Sequence, residues 1–104
     1  MQLRNHKKVI TEDGSLSYFS LVYDELCHSK CGAKEETHTH YIKGCDIQNK
    51  INLNHKLNIL EVGFGTGLGF METKRLFKGH KSKLHFVSLE IDPELIDIFE
   101  LEQK

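Results

Sequence analysis

The chain has 104 residues, of which 38% are hydrophobic and 28% charged, and its formal net charge is −1. That length holds one compact domain with a modest core, and the balanced charge excludes a globally basic nucleic-acid binder. No apolar run approaches the roughly 18 residues that would read as a membrane span, so no membrane partner is expected.

Residues 1–8 have no hydrophobic stretch behind them and do not read as a secretion signal. Three cysteines, an odd number, then point to the reducing cytoplasm rather than to a disulfide scaffold. The basic clusters Arg4, His6, Lys7, Lys8 and Lys74, Arg75, Lys78, Lys81, Lys83 read as solvated faces.

Residues 9–20 predict a hairpin turning at Asp13-Gly14, with Tyr18 and Phe19 in the return strand. Residues 21–29 fit no single pattern. Residues 32–43, with Ala33, Lys34, Glu35 and Glu36, predict a helix stopped by Gly44, and the polar residues 45–56 predict a connecting loop. Residues 57–62 predict a short apolar strand, residues 63–69 a glycine-dense turn, and residues 70–77 a helix stopped by Gly79. Residues 84–90 predict a second strand. Asp92 then caps, and Pro93 opens, a last helix. Strand, glycine turn, helix, strand, helix is a βαβα unit of a parallel α/β sheet.

The strongest signal is Glu61-Val62-Gly63-Phe64-Gly65-Thr66-Gly67-Leu68-Gly69. Glycines between a strand and a helix let the backbone approach a ligand closely. The dinucleotide spacing G-x-G-x-x-G is broken here, because its sixth position is Leu68 in one register and Phe70 in the other. Glu90, at the end of the next strand, lies 23 positions after Gly67. That is near the roughly 20-residue spacing at which a carboxylate meets ribose hydroxyls, and an ionised carboxylate accepts two such donors.

The acid-x-G-x-G-x-G spacing resembles the first motif of class I S-adenosylmethionine-dependent methyltransferases. Three segments resemble one family more closely, the methyltransferase part of the tRNA 5-methylaminomethyl-2-thiouridine biosynthesis proteins (MnmC-like). They are Thr11-Glu12-Asp13-Gly14-Ser15 followed by Phe19-Ser20, His28-Ser29-Lys30-Cys31-Gly32-Ala33 with Glu36 beyond, and the glycine turn itself. Gly69 departs from the family, which usually has Asn there.

The resemblance implies an α/β fold with an N-terminal hairpin and helix over residues 1–56. Residues 57–104 would begin an S-adenosylmethionine-binding, Rossmann-like methyltransferase sheet that is incomplete at this length. It implies methyl transfer to the amine of 5-aminomethyl-2-thiouridine at the tRNA wobble position. The partners would be tRNA and the rest of the enzyme, including an FAD-dependent oxidase. Glu61, Gly63, Phe64, Gly65, Thr66, Gly67 and Glu90 would hold the cofactor, with His28, Ser29 and Glu36 lining the site; the catalytic residues are not assigned.

Two other readings stay open. Cys27, His28, Cys31, His38, His40 and Cys45 could form a small zinc module, although His38 and His40 are too close for the usual H-x₃₋₅-H pair. The chain could also be a non-catalytic remnant of such an enzyme.

Overall fold

The computed structural model describes residues 3–28, 30–53 and 56–103. Strands β1 (His6–Ile10), β2 (Leu16–Ser20) and β3 (Glu25–Leu26) form an antiparallel sheet in that order. The hairpin turns where Asp13-Gly14 predicts. Gly14 has φ 83° and its N–H donates to the Thr11 carbonyl at 2.9 Å. Tyr18 and Phe19 lie in the return strand, opposite Lys8 and Lys7.

The predicted helix over residues 32–43 is two pieces: α1 (Ala33–Thr37) and a π-helical turn (His38–Lys43). Gly44 does not stop it in the left-handed manner expected, because its φ is −60°. Its missing Cβ matters for a different reason: that atom would stand 2.4 Å from the His40 carbonyl oxygen. The reversal falls at Asp46, whose φ is 53°.

Residues 45–56 are not simply a loop. They contain α2 (Ile47–Asn52), whose Ile47 and Ile51 are four residues apart and share one helix face. Both are buried with Ile42 in a core that also takes Leu57, Ile59, Leu76 and Phe77.

The second half forms β4 (Leu57–Val62), α3 (Leu68–Phe77), β5 (Leu84–Leu89) and α4 (Pro93–Glu102). β4 and β5 are adjacent and parallel, pairing from Leu57↔Leu84 to Val62↔Leu89. α3 starts at Leu68, two residues earlier than the composition indicates. α4 is capped as expected: the Asp92 side chain accepts the Glu94 N–H, and Pro93 opens the first turn.

Both strands alternate strictly between half-buried and exposed residues. Leu57, Ile59 and Phe86 share the half-buried face. Leu60, Val62, Val87 and Leu89 share the face left open, where Val62 is 78% exposed. A second core cluster of Tyr18, Leu95 and Ile98 joins the N-terminal sheet to α4.

The α2 core yields a direct test. Ile51 is fully buried, so Ile51→Ala is expected to cost about 2–4 kcal/mol through lost burial and a residual cavity. Urea unfolding followed by circular dichroism checks this. A change below about 0.5 kcal/mol, the range of exposed sites, would mean α2 does not pack as described.

Candidate functional site

The site begins where β4 ends. Gly63, Gly65 and Gly67 all have positive φ, at 90°, 60° and 85°, and their surroundings differ. A Cβ on Gly63 or Gly65 would meet nothing within 4 Å, whereas one on Gly67 would strike the Phe99 ring at 2.4 Å and Phe64 at 2.8 Å. Gly67 therefore serves packing: it admits α4's Phe99, which meets Phe64 edge-on with ring centroids 4.9 Å apart. Gly63 and Gly65 leave open space against bare backbone. Thr66 is buried at the head of α3.

Glu90 fixes the turn from the β5 side. Its Oε1 accepts the Gly65 N–H at 2.7 Å and its Oε2 accepts the Asp92 N–H at 3.0 Å. Above these bonds, the Gly63 and Phe64 N–H groups both donate to the Leu89 carbonyl, at 2.8 and 3.1 Å. Two cavities meet at Glu90. One, of about 380 Å³, is lined by Phe64, Phe70, Phe86, Ser88, Ile96 and Phe99. The other, of about 330 Å³, includes His6, Tyr23, Cys27, Asp92 and Leu95.

Glu61 is placed differently from Glu90. Its Oε1 accepts the Ser88 hydroxyl at 2.7 Å, and its Oε2 lies 2.6 Å from where a Gly69 Cβ would stand. The carboxylate thus sits against the first turn of α3, where negative charge complements the helix N-terminus, and any side chain at position 69 would crowd it. Burial pushes the Glu61 carboxyl up, and Glu90 adds to this, while the Ser88 hydrogen bond opposes it.

His28 and Glu36 belong to a separate constellation. His28 Nδ1 is 2.9 Å from Ser17 Oγ. Burial lowers its basicity, partly offset by the nearby Glu36 charge. No hydrogen bond links either residue to the glycine turn among the described residues, and Ser29 lies outside the described residues. The two N-terminal family-like segments instead meet each other. Thr11 Oγ1, Ser15 Oγ and Asp13 Oδ2 accept the N–H groups of Ala33, Lys34 and Glu35, at 3.2, 3.0 and 3.0 Å. The hairpin tip is the N-terminal cap of α1. Gly32 has to be a glycine here because a Cβ would lie 2.5 Å from the Asp13 carboxylate.

The sequence reads His6 as part of a solvated basic face and Cys27 as a possible zinc ligand; the fold instead buries His6 and brings both residues beside the site, which local sequence does not signal. The His6 ring is fully buried, with Nδ1 2.7 Å from Glu94 Oε1. Its Nε2 is 3.2 Å from Asp92 Oδ2, within ion-pair reach but without hydrogen-bond geometry. The ring ties β1 to the start of α4. Cys27 has its thiol pushed up to about 11, chiefly by burial and then by the Glu90 and Asp92 charges. The zinc reading finds no assembled ligand set: among the described residues no three His, Cys, Asp or Glu side chains converge to hold a metal. His38 is instead bonded to Glu72, at 2.9 Å.

With this geometry the comparisons can be placed. No protein-family model matches the chain. It is 36% identical over 90 residues to the tRNA 5-methylaminomethyl-2-thiouridine biosynthesis bifunctional protein MnmC of Leptospira interrogans, covering 82% of this chain and 14% of that protein. The chain is a homologue of the MnmC proteins. The MnmC of Burkholderia thailandensis is 34% identical over 88 residues, again covering 82% of this chain and 13% of the relative. The chain therefore spans about one seventh of the length of these MnmC relatives. Crystalline MnmC2 from Aquifex aeolicus superposes with a TM-score of 0.76 at 23% identity, covering 98% of this chain and 37% of that one. The mixed α/β fold is thus that of an MnmC2 structure.

The α1 cap responds to pH in a defined direction. Hydrogen bonds from the Ser15 side chain and backbone, with further ones from Thr11 and Glu35, outweigh burial and hold the Asp13 carboxyl well below the usual carboxylate range. Its contribution is therefore complete above the ordinary Asp value of about 3.9 and is lost as pH falls toward the lower folded value. The Asp13→Asn variant is expected to melt lower than the parent at neutral pH. The gap in Tm should narrow as pH drops below about 4; a gap that widens in acid would contradict the cap.

Proposed function

We propose that this chain is the cofactor-binding part of an S-adenosylmethionine-dependent methyltransferase. Its substrate would be the wobble uridine of tRNA, converted from 5-aminomethyl-2-thiouridine to the 5-methylaminomethyl form. The observation that carries this reading is the open space over Gly63 and Gly65, both at positive φ, with the Gly65 N–H bonded to the Glu90 carboxylate. Side chains there would fill a cradle that glycine leaves to a ligand.

In this reading β4-α3-β5-α4 is the opening of a Rossmann-like methyltransferase sheet, and the ligand lies outside the carboxyl ends of its strands. Glu90 keeps a second lone pair on each oxygen after accepting its two backbone N–H groups, which leaves it able to take ribose hydroxyls. α3 begins without a side-chain cap, so its first N–H groups suit the carboxylate of an amino-acid tail. Phe64, Phe70 and Phe99 form the apolar wall beside Glu90. Glu61 and Thr66 support the turn and the start of α3. When bound, S-adenosylmethionine would supply an electrophilic methyl on its sulfonium, which an uncharged amine attacks as the C–S bond breaks, S-adenosylhomocysteine leaving as a neutral thioether and the new ammonium releasing a proton. The acidic carboxyl edge, with Glu61, Glu90 and Asp92, favours that cation.

His28 and Glu36 enter this reading as residues that shape the N-terminal segment. The relatives are tRNA 5-methylaminomethyl-2-thiouridine biosynthesis proteins, which supports tRNA as the partner. The remainder of an MnmC-type enzyme, with its FAD-dependent oxidase, is the other partner, and the cytoplasm is the compartment.

Calorimetry with S-adenosylhomocysteine, NAD and ATP tests the proposal; tighter binding of NAD or ATP would defeat it. Glu90→Gln is expected to weaken S-adenosylhomocysteine binding by about 1.5–3 kcal/mol, the range for hydrogen bonds to a charged group. It should also lower the ligand-free Tm, because an amide nitrogen cannot accept the Gly65 or Asp92 N–H. Thr11→Val, which loses a cap to the buried Ala33 N–H about 1 kcal/mol in strength, controls for destabilisation and is expected to bind normally. Equal affinity losses in the two variants would reduce Glu90 to a structural acid.

A further inference from the structure

Charge in this chain is sorted along the βαβ unit. Residues 73–89 hold five Lys or Arg, two His and no Asp or Glu, whereas residues 90–103 hold six acids and no Lys or Arg. The parallel topology turns this order in sequence into a polarity between the two ends of the sheet. α3 runs from the glycine turn to Lys78, and the next residues carry His80, Lys81 and Lys83 into the start of β5. The chain then returns to the carboxyl edge at Glu90.

The amino edge is fastened in place. The Leu57 N–H donates to the Lys83 carbonyl at 2.8 Å, which sets Lys56 beside Lys83, and the Ser82 hydroxyl donates to the Ile51 carbonyl at 3.1 Å. Lys56, Lys74, Lys78, Lys81 and Lys83 are all exposed, and none forms an ion pair among the described residues. The nearby carboxylate, Glu72, is already taken by Arg75 at 2.7 Å and His38 at 2.9 Å. Along α3 a groove of about 590 Å³ runs over Met71 and Phe77 between Lys74 and Lys78.

We infer that this amino edge docks the phosphate backbone of an RNA through Lys56, Lys78, Lys81 and Lys83, at the end of the sheet opposite the glycine turn. Unpaired lysines on a fixed frame suit a regular array of phosphates, whose neutralisation releases counterions. An anionic membrane fits less well. Interfacial binding needs a broad exposed apolar face beside the basic one; near these lysines the apolar residues are Met71 and Phe77, half-buried in the α3 groove, and the exposed Leu53, whereas Leu60, Val62, Val87 and Leu89 lie together on the strands. The inference rests on the proposed function only in choosing RNA among polyanions.

Six strand residues cover about 20 Å, so an RNA that touches both this edge and the glycine turn has to reach across about that distance.

Fluorescence anisotropy of a labelled hairpin RNA, titrated with the full chain over a range of salt, tests the surface. In the triple variant Lys78→Glu, Lys81→Glu, Lys83→Glu, affinity at physiological salt is expected to fall at least tenfold. The corresponding Lys→Gln variant should flatten the slope of log K against log salt by about 0.7–0.9 for each lysine removed. Circular dichroism and S-adenosylhomocysteine binding should stay as in the parent. Unchanged affinity and slope in both variants would overturn the inference, as would a parent chain that fails to bind RNA or prefers phosphatidylserine vesicles. RNA binding that depends on these lysines in a chain that ignores S-adenosylhomocysteine would retain this surface and remove the proposed cofactor site.

Discussion

Each oxygen of the Glu90 carboxylate accepts one backbone N–H, from Gly65 in the turn and from Asp92 ahead of α4. Through these two bonds one side chain joins the end of β4, the end of β5 and the start of α4. The Gly63 to Gly67 backbone is free to adopt many conformations in an unfolded chain, so something has to hold it in the one seen. Hydrogen bonds to an ionised acceptor are roughly twice as strong as neutral ones. Phe99 does the rest from α4, seating its ring where Gly67 has no Cβ. The turn is thus fixed by one acid, the neighbouring Leu89 carbonyl and one aromatic ring, all distant from it in sequence.

The N-terminal sheet is tied to the same region rather than set apart from it. His6 reaches Glu94 and Asp92, the Arg4 and Asn5 N–H groups donate to the Glu94 carboxylate at 2.9 Å, and the Tyr18 hydroxyl donates to Glu102. Tyr18 packs between Leu95 and Ile98. α4 therefore faces the antiparallel sheet on one side and the aromatic wall of Phe64 and Phe70 on another. The opposite face of β4 and β5, with Leu60, Val62, Val87 and Leu89, is left open. A doubly wound sheet has both faces covered, and among the described residues only one is.

Much of this arrangement was legible in the chain. The two parallel strands, the glycine turn, the Asp92-Pro93 cap and the Asp13-Gly14 hairpin all follow from local signals, because each depends on residues adjacent in sequence. α2 was hidden: its apolar signal is Ile47 and Ile51 in an otherwise polar stretch, and what makes it a helix is the core supplied by Ile42, Leu76 and Phe77. The left-handed residue lies at Asp46, where a glycine-based reading expects Gly44. The nearness of Glu90 to the glycine turn was readable from spacing. The proximity of His6 and Cys27 to Glu90 was not, since it arises only when strands from the other sheet pack beside α4. Glu61 was readable as an acid of the motif, but its turn toward Ser88 and α3 depends on the pleat of β4.

The cap that the hairpin tip places on α1 has a consequence for the order in which the chain folds. A helix of five residues cannot persist alone in water, because nucleation fixes several residues before the first bond is gained. The N–H groups that most need partners, those of Ala33, Lys34 and Glu35, find them on Thr11, Ser15 and Asp13, some 20 residues earlier. Those three acceptors are gathered only once β1 and β2 have paired, an event of about 1–10 μs for a hairpin. Chain closure at Asp13-Gly14 therefore precedes α1, and the π-helical turn and α2 inherit their starting direction from it. The hairpin thus forms before the helix it caps.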